Sequence, residues 1–337
     1  MIQIAVVGLG RVGSQNDTDG ALQSHVACVL ATPGLRLAAV IDPSEQAREA
    51  FRKKWRTGAE TRVLSQLGEL ARGEADVIAL CTPPSGREPL ATNALEKAPK
   101  LLVLEKPIAD DAAEARAIAT AAEKLNVPMR VNFHRRFDPK HRALQQSLPG
   151  TPRQVVMRFG KGLFNYGTHL IDLLIGWFGP AMAVQALSPL AGGDDSALTF
   201  RVRMQTGFDA ILIGMEGLSY DQFEIDLFYS DSRVEIANGG TQMRQYPVIA
   251  DRFYKGYPQL GPAVVIGADG PVGGLAEFYQ AIRDHLADGK VLAGCDARQA
   301  IVGLDILEAA RESALQGGRE IAMAEQPLTS ELGRRRP

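Results

Sequence analysis

The apolar run Ile2-Gln3-Ile4-Ala5-Val6-Val7 leads directly into Gly8-Leu9-Gly10-Arg11-Val12-Gly13. The first six residues predict a strand, and glycines in that spacing allow a tight turn, close approach of backbone to an anion, and contact between helix and sheet. The chemistry is pyrophosphate binding by backbone N–H groups, with Gly8, Gly10, Arg11, Val12 and Gly13 as the residues that hold it. A GxGxxG alone occurs in many strand-to-helix loops, but here a second strand ends in Val40-Ile41-Asp42. A carboxylate there accepts hydrogen bonds from both hydroxyls of an adenine ribose and repels a 2′-phosphate, so Asp42 predicts NAD, with NADP as the second choice because Arg48 offers partial relief. The other reading of Asp42 is a cap for the helix after Pro43.

Two further motifs close predicted strands: Cys81-Thr82-Pro83-Pro84 and Leu104-Glu105-Lys106-Pro107. Ligands of doubly wound sheets bind beyond the carboxyl ends of the strands, so Cys81, Thr82, Pro83, Glu105 and Lys106 are expected to border one cofactor crevice with the glycine loop. A lysine facing a nicotinamide can hold a substrate hydroxyl and take part in its deprotonation, which makes Lys106 a catalytic candidate; the alternative is a surface salt bridge with Glu105. Later comes Gly162-Leu163-Phe164-Asn165-Tyr166-Gly167-Thr168-His169-Leu170-Ile171-Asp172. At 100° per residue Asn165, His169 and Asp172 fall within about 60° of one another, opposite an apolar arc. His169 is the acid/base candidate, Asn165 and Asp172 are substrate-binding candidates, and a solvated helix face is the alternative. His25, His141 and His285 read as surface or packing residues. Asp17, Asp19 and Gly20 suggest a calcium loop, but Gln15 and Val26 stand where that loop requires acids, so no metal site is expected and 14–20 reads as a polar insertion.

The elements that position these residues fall into two groups. Strands at Ile2–Val7, Leu35–Ile41, Val77–Cys81, Leu101–Leu104 and Met129–Phe133 alternate with helices near Ala21–Ala31, Ser44–Trp55, Ser65–Arg72, Glu88–Glu96 and Asp111–Leu125, the order of a doubly wound parallel sheet. Past Asn126-Val127-Pro128 strands follow one another directly, at Gln154–Phe159, Ala183–Leu187, Ala197–Gln205, Asp209–Met215, Gln222–Tyr229 and Arg233–Ile236. Helices near Phe164–Phe178, Leu275–Ala287 and Ala297–Leu315 accompany them. The α/β reading is therefore a dinucleotide-binding domain over 1–127, an α+β substrate domain with a largely antiparallel sheet over 128–325, and a fraying tail over 326–337.

A chain of 337 residues suits about two domains at ~150 residues each. With 45% hydrophobic and 23% charged residues the composition is that of a soluble globular protein. The 37 basic and 39 acidic residues leave a net charge of −2, without the field that nucleic acid or an anionic membrane would favour. No apolar run reaches the ~18 residues of a membrane span, and the strand pattern begins at once, so a cytoplasmic protein is expected. Cys28, Cys81 and Cys295 are too scattered for a zinc site or a disulfide framework.

The glycine loop, the Asp-ending second strand, Cys-Thr-Pro-Pro, Glu-Lys-Pro and the Gly-x-His-x-x-Asp helix occur in an order that resembles the Gfo/Idh/MocA oxidoreductases, and Asp296 to Gly318 is similar to that family's closing helix. The resemblance implies a Rossmann domain, an open-faced C-terminal sheet used for homo-dimers or homo-tetramers, and nicotinamide-dependent chemistry on a sugar or cyclitol. Lys106 matches the family's active-site lysine and His169 its histidine acid/base. Asn165 stands where many members have aspartate, and Arg87 where many have histidine. The run Asn132-Phe133-His134-Arg135-Arg136-Phe137-Asp138-Pro139 resembles the segment joining the two domains; Arg136 is a candidate for a substrate phosphate, and interdomain salt bridges are the alternative. The insertion and the His-Arg-Arg-Phe run resemble polysaccharide and sugar-nucleotide biosynthetic members. The expected activity is an NAD-dependent dehydrogenase acting on a secondary hydroxyl of a sugar, cyclitol or nucleotide sugar. A glycosidase with recycled NAD is the second class, and a non-catalytic dinucleotide sensor, which would not need both Lys106 and His169, is the third.

Overall fold

A computed structural model describes residues 1–17, 21–190, 192–193, 195–267, 270 and 272–324. The expected tail and residues 18–20 of the insertion lie outside them. The helices are α1 (His25–Ala31), α2 (Glu45–Lys54), α3 (Arg87–Glu96), α4 (Ala112–Lys124), α5 (Pro139–Ser147), α6 (Thr168–Phe178), α7 (Leu275–Asp288) and α8 (Ala297–Leu315). Among the described residues no helix is long and apolar enough to cross a membrane.

The chain forms two compact units, one of Met1–Pro139 with Gly273–Ile301, the other of Lys140–Val272 with the segment from Val302 on. In the first, β1 (Ile2–Val7), β2 (Leu35–Ile41), β3 (Arg62–Leu64), β4 (Val77–Leu80), β5 (Leu101–Glu105) and β6 (Met129–Asn132) form one sheet in the order β3-β2-β1-β4-β5-β6. Every pair is parallel, and this is the Rossmann order, with its reversal between β1 and β4. All residues of β4 and β5 are buried, so these strands must be apolar on both faces, as their sequences are up to the closing Glu105. Three helices, α1, α2 and α4, start where a side-chain oxygen is available for the first free N–H groups: Ser24 accepts from Ala27, Ser44 from Ala47 and Asp111 from Glu114.

Three expectations change here. The helix near Ser65–Arg72 is only a 3₁₀ turn at Leu67–Glu69, because the Glu69 carboxylate turns back onto the N–H groups of Ser65 and Gln66 and closes the segment locally. The first-domain helix begins at His25 instead of Ala21, capped by Ser24. The domain division also differs from a single cut at 127/128. β6 bonds to β5 in the first sheet, and α7 returns to the first unit, where Phe278, Tyr279 and Ile282 share a core with Val6, Val29 and Val103. Phe137 and Phe278 meet with ring centroids 4.9 Å apart, and the Cys295 carbonyl accepts the N–H of Val131 on the edge strand.

The second unit is built on β7 (Gln154–Phe159), β8 (Ala181–Ala186), β9 (Phe200–Met204), β10 (Asp209–Gly214), β11 (Phe223–Phe228), β12 (Ser232–Ala237), β13 (Gln242–Ile249), β14 (Gln259–Leu260), β15 (Val264–Val265) and β16 (Ile321–Ala322). The order is β14-β13-β12-β11-β7-β10-β9-β8-β16, with β15 also on β13, and only β7 and β10 run parallel. Alternation sets its two faces. Val155, Met157, Phe159, Phe200, Val202, Ile225 and Leu227 point into a core shared with Leu170, Leu173 and Leu174 of α6 and Leu307 of α8. The other face carries a ladder of charges: Asp226 pairs with Arg158 at 2.8 Å and Arg233 at 2.5 Å, and Glu235 with Arg233 and Arg244.

Candidate active site

The three glycines have three different surroundings. Gly8 lies at φ +92°, and a Cβ there would sit 3.0 Å from the Cys81 carbonyl group, so this turn presses the end of β1 against the end of β4. A Cβ on Gly13 would fall 1.9 Å from the Gly8 oxygen, so the turn after the loop can pack only without a side chain. A Cβ on Gly10 would meet nothing within 4 Å, and Gly10, Arg11 and Val12 are exposed. Closeness at the first and third glycines and open space at the second is the arrangement that lets a pyrophosphate reach bare backbone. The helix entered from this loop is a single π-helical turn, Arg11–Gln15, held by Lys54 Nζ and Trp55 Nε1 donating to the Ser14 carbonyl, each at 3.0 Å. Asp17, from the polar insertion, accepts from the Ser24 N–H at 2.8 Å and pairs with Lys54, which makes it a structural tie.

Asp42 does not cap α2, since Ser44 does. Its carboxylate accepts from the Leu9 N–H at 2.7 Å and the Ser44 N–H at 2.9 Å, so it fastens the glycine loop to the end of β2 while remaining partly exposed. Arg48 is already engaged, donating to the Asp42 and Pro43 carbonyls and pairing with Glu45.

At the ends of β4 and β5, Cys81, Thr82 and Lys106 are half-buried and Pro83 is exposed, while Thr82 Oγ1 is a buried oxygen with no partner among the described residues. An open cradle at Gly10, a free hydroxyl oxygen at Thr82 and a carboxylate at the end of β2 suit a dinucleotide. Glu105 differs from the expectation of a cofactor contact: it is 8% exposed and its carboxylate is directed inward. Oε1 accepts from Asn132 Nδ2 at 2.5 Å and from His25 Nε2 at 2.9 Å, and Oε2 from the Lys106 N–H at 3.2 Å. His25 Nδ1 lies 2.7 Å from the Tyr279 hydroxyl. Burial opposes charge on both partners. It is outweighed at His25 by Cys81, Tyr279 and Glu105, which hold the imidazole well above its usual value, and at Glu105 by the bonds from His25 and Asn132, which hold the carboxyl below its own. Burial pushes the neighbouring Cys28 thiol up to about 12. A histidine that reads as surface or packing is thus a fully buried partner of the Glu-Lys-Pro motif. Arg87 is likewise buried, donating to the carbonyls of Thr82, Glu105, Pro107 and Ile108.

In the second unit, Leu163–Gly167 form a π-helical turn before α6, so the 100° spacing does not carry from Asn165 to His169. Asn165 is exposed, whereas His169 and Asp172 are 6% and 3% exposed; the helix has no solvated polar face there. Asp195 is a residue that sequence reasoning missed. Its Oδ1 accepts the Phe164 N–H at 2.5 Å, and at Gly162, φ +91°, a Cβ would fall 2.2 Å from its Oδ2. The left-handed glycine before Leu163 was the available signal. Arg136, in the first unit, donates to Gln299 Oε1 at 2.7 Å.

Residues 2–133 match GFO_IDH_MocA, an oxidoreductase family with an NAD-binding Rossmann fold. The match spans the six strands of the first sheet, β1 to β6. The chain is similar to inositol 2-dehydrogenase of Rhizobium meliloti, 28% identical over 147 residues, and to myo-inositol dehydrogenase Hyg17 of Streptomyces leeuwenhoekii, 33% identical over 138 residues. These stretches cover 44% and 40% of this chain but only 40% and 38% of the relatives' lengths. The fold resemblance is longer. An oxidoreductase from Agrobacterium radiobacter, solved with NAD+, L-tartaric acid and magnesium, aligns over 95% of this chain and 98% of its own with TM-score 0.74 at 17% identity. The WlbA dehydrogenase from Bordetella pertussis, solved with NADH and UDP-GlcNAcA, aligns over 96% and 99% with TM-score 0.73 at 19% identity.

Two predictions follow from the geometry of the first unit. Gly13→Ala should lower stability by about 1–3 kcal/mol through overpacking, whereas Gly10→Ala should keep the wild-type Tm and weaken NAD binding ~10-fold or more; thermal melts beside NAD titrations separate them. The ion pair makes stability depend on pH. A carboxyl held low contributes above its unfolded value of 4.5 and loses that contribution as pH falls through the lowered one, while an imidazole held high contributes below 6.5 and loses it as pH rises through the raised one. Urea unfolding should therefore show stability falling on the alkaline side of neutrality in the wild type, and a shallower fall in His25→Gln.

Proposed function

We propose that the chain is an NAD-dependent dehydrogenase that interconverts a secondary hydroxyl and a ketone on a sugar, cyclitol or nucleotide sugar. The observation that carries this reading is the sheet order: β1, β4 and β5 are neighbours, so the Lys106 turn opens on the same sheet end as the glycine loop, about 10 Å away at ~4.8 Å per strand. When bound, NAD supplies the hydride acceptor or donor. The chain's own residues do the rest. Gly8, Gly10, Arg11, Val12 and Gly13 hold the pyrophosphate, Asp42 takes the ribose hydroxyls, and Cys81, Thr82 and Pro83 border the ring end.

Lys106 holds the substrate hydroxyl and takes part in moving its proton, with His169 of the second unit as acid/base. Asn165, Asp172 and Arg136 contribute to substrate binding, and Arg136 does so while anchored on Gln299. Inositol dehydrogenases among the relatives and a UDP-sugar complex among the structural neighbours support the substrate class. The ladder of charges on one face of the second sheet supports a homo-dimer or homo-tetramer, and nothing in the chain's charge favours nucleic acid or a membrane.

The test is net NAD reduction with a panel of cyclitols and nucleotide sugars. Lys106→Ala should lower kcat by ~10²-fold or more with NAD affinity nearly intact. The kcat/KM profile should show one limb at roughly pH 6 to 8 that disappears in His169→Ala. Wild-type turnover in Lys106→Ala, or turnover without NADH accumulation, contradicts the reading.

A further inference from the structure

The proposed chemistry gives no task to the buried charge of Arg87. Arg87 opens α3, is 1% exposed, and is the largest of the fully buried side chains among the described residues. Its Nη1 donates to the carbonyls of Glu105 and Pro107 and, at 3.3 Å, of Ile108, while its Nη2 donates to the carbonyl of Thr82. All four acceptors are backbone oxygens: one on the last residue of β5, two in the loop after it and one in the loop after β4. Burial draws the guanidinium below the usual arginine range and the Glu105 carboxylate opposes that shift, so the group remains a cation. A cation in this place is expensive to desolvate, and an apolar side chain of similar length would fill the volume without that cost. What the apolar side chain cannot do is grip two loops at once, for which the planar fork of arginine is suited and the single ammonium of lysine is not.

We infer that Arg87 is a positioning residue for Lys106: its fork locks the Glu105–Ile108 turn to the Thr82 loop, so the lysine and the Cys81–Pro83 edge of the crevice hold a set spacing. The turn is gripped from two sides. Arg87 takes its carbonyls, and the Glu105 carboxylate, anchored by His25 and Asn132, takes the Lys106 N–H. Its effect on turnover rests on the role proposed for Lys106; the grip itself does not.

The experiment pairs a structural readout with a kinetic one in the full chain. In Arg87→Met, which keeps the length and loses every bond, amide exchange over residues 105–110 should rise ~10-fold or more while β1 and β2 stay as protected as in the wild type. In the same variant kcat should fall by ~10-fold or more with the KM for NAD within about threefold, because a small misplacement of a reacting group is costly in rate. Guanidinium ion at millimolar concentration should restore part of both losses in Arg87→Ala, which leaves a space of matching shape. Should Arg87→Met fail to fold, Arg87→Lys carries the same two readouts, with an expected rise in exchange of about threefold. Unchanged exchange over 105–110 in a folded variant overturns the inference and makes Arg87 a space-filling residue. Raised exchange beside a wild-type protein that reduces no NAD leaves the grip standing and removes the dehydrogenase reading.

Discussion

An ionised carboxylate cannot be buried alone, and Glu105, at the end of β5, is the place where this constraint organises the first unit. Its two oxygens draw in His25 from α1, Asn132 from β6 and the backbone N–H of Lys106, and His25 in turn reaches Tyr279 on α7. One buried charge therefore ties the first helix, two neighbouring strands and a helix from far along the chain to the turn that presents Lys106. The end of β2 in the same sheet obeys a parallel rule: Asp42 stays partly exposed because only part of its hydrogen-bonding capacity is spent, on the N–H groups of Leu9 and Ser44. One carboxylate serves the scaffold and the other keeps capacity for a ligand.

The Rossmann half was legible because its strands are buried on both sides. Runs such as Ile2–Val7 and Leu35–Ile41 can satisfy that burial in only one way, and their ends stand where the apolar pattern puts them. β3 escaped notice because it has three residues and begins on an exposed arginine, and β13 because Pro247 and a polar first half break its alternation. The return of Gly273–Ile301 to the first unit could not be read from local pattern, since α7 has an ordinary amphipathic sequence that says nothing of which core receives Phe278 and Ile282.

For the site, glycine spacing and strand-end motifs located the backbone features, whose demands are local. Side-chain partnerships were hidden because they join residues far apart in sequence: His25 with Glu105 and Tyr279, Arg87 with four carbonyls, and Asp195 with the turn at Gly162 and Phe164. The helical reckoning around His169 failed for a definite reason, the π-helical turn that separates Asn165 from α6. Burial of His169 and Asp172 removes the solvated-face reading of that helix and leaves the exposed Asn165 outside its regular turns.

The central claim is that the sheet end of the first unit is built for NAD, with Asp42 choosing between the two nicotinamide dinucleotides. Calorimetric titration of the full chain with NAD and NADP addresses it most directly. Saturable binding of one NAD per chain, with NADP weaker by ~10-fold or more and the preference lost in Asp42→Ala, is the predicted result. Tighter binding of NADP, or heat from neither dinucleotide, would contradict the account.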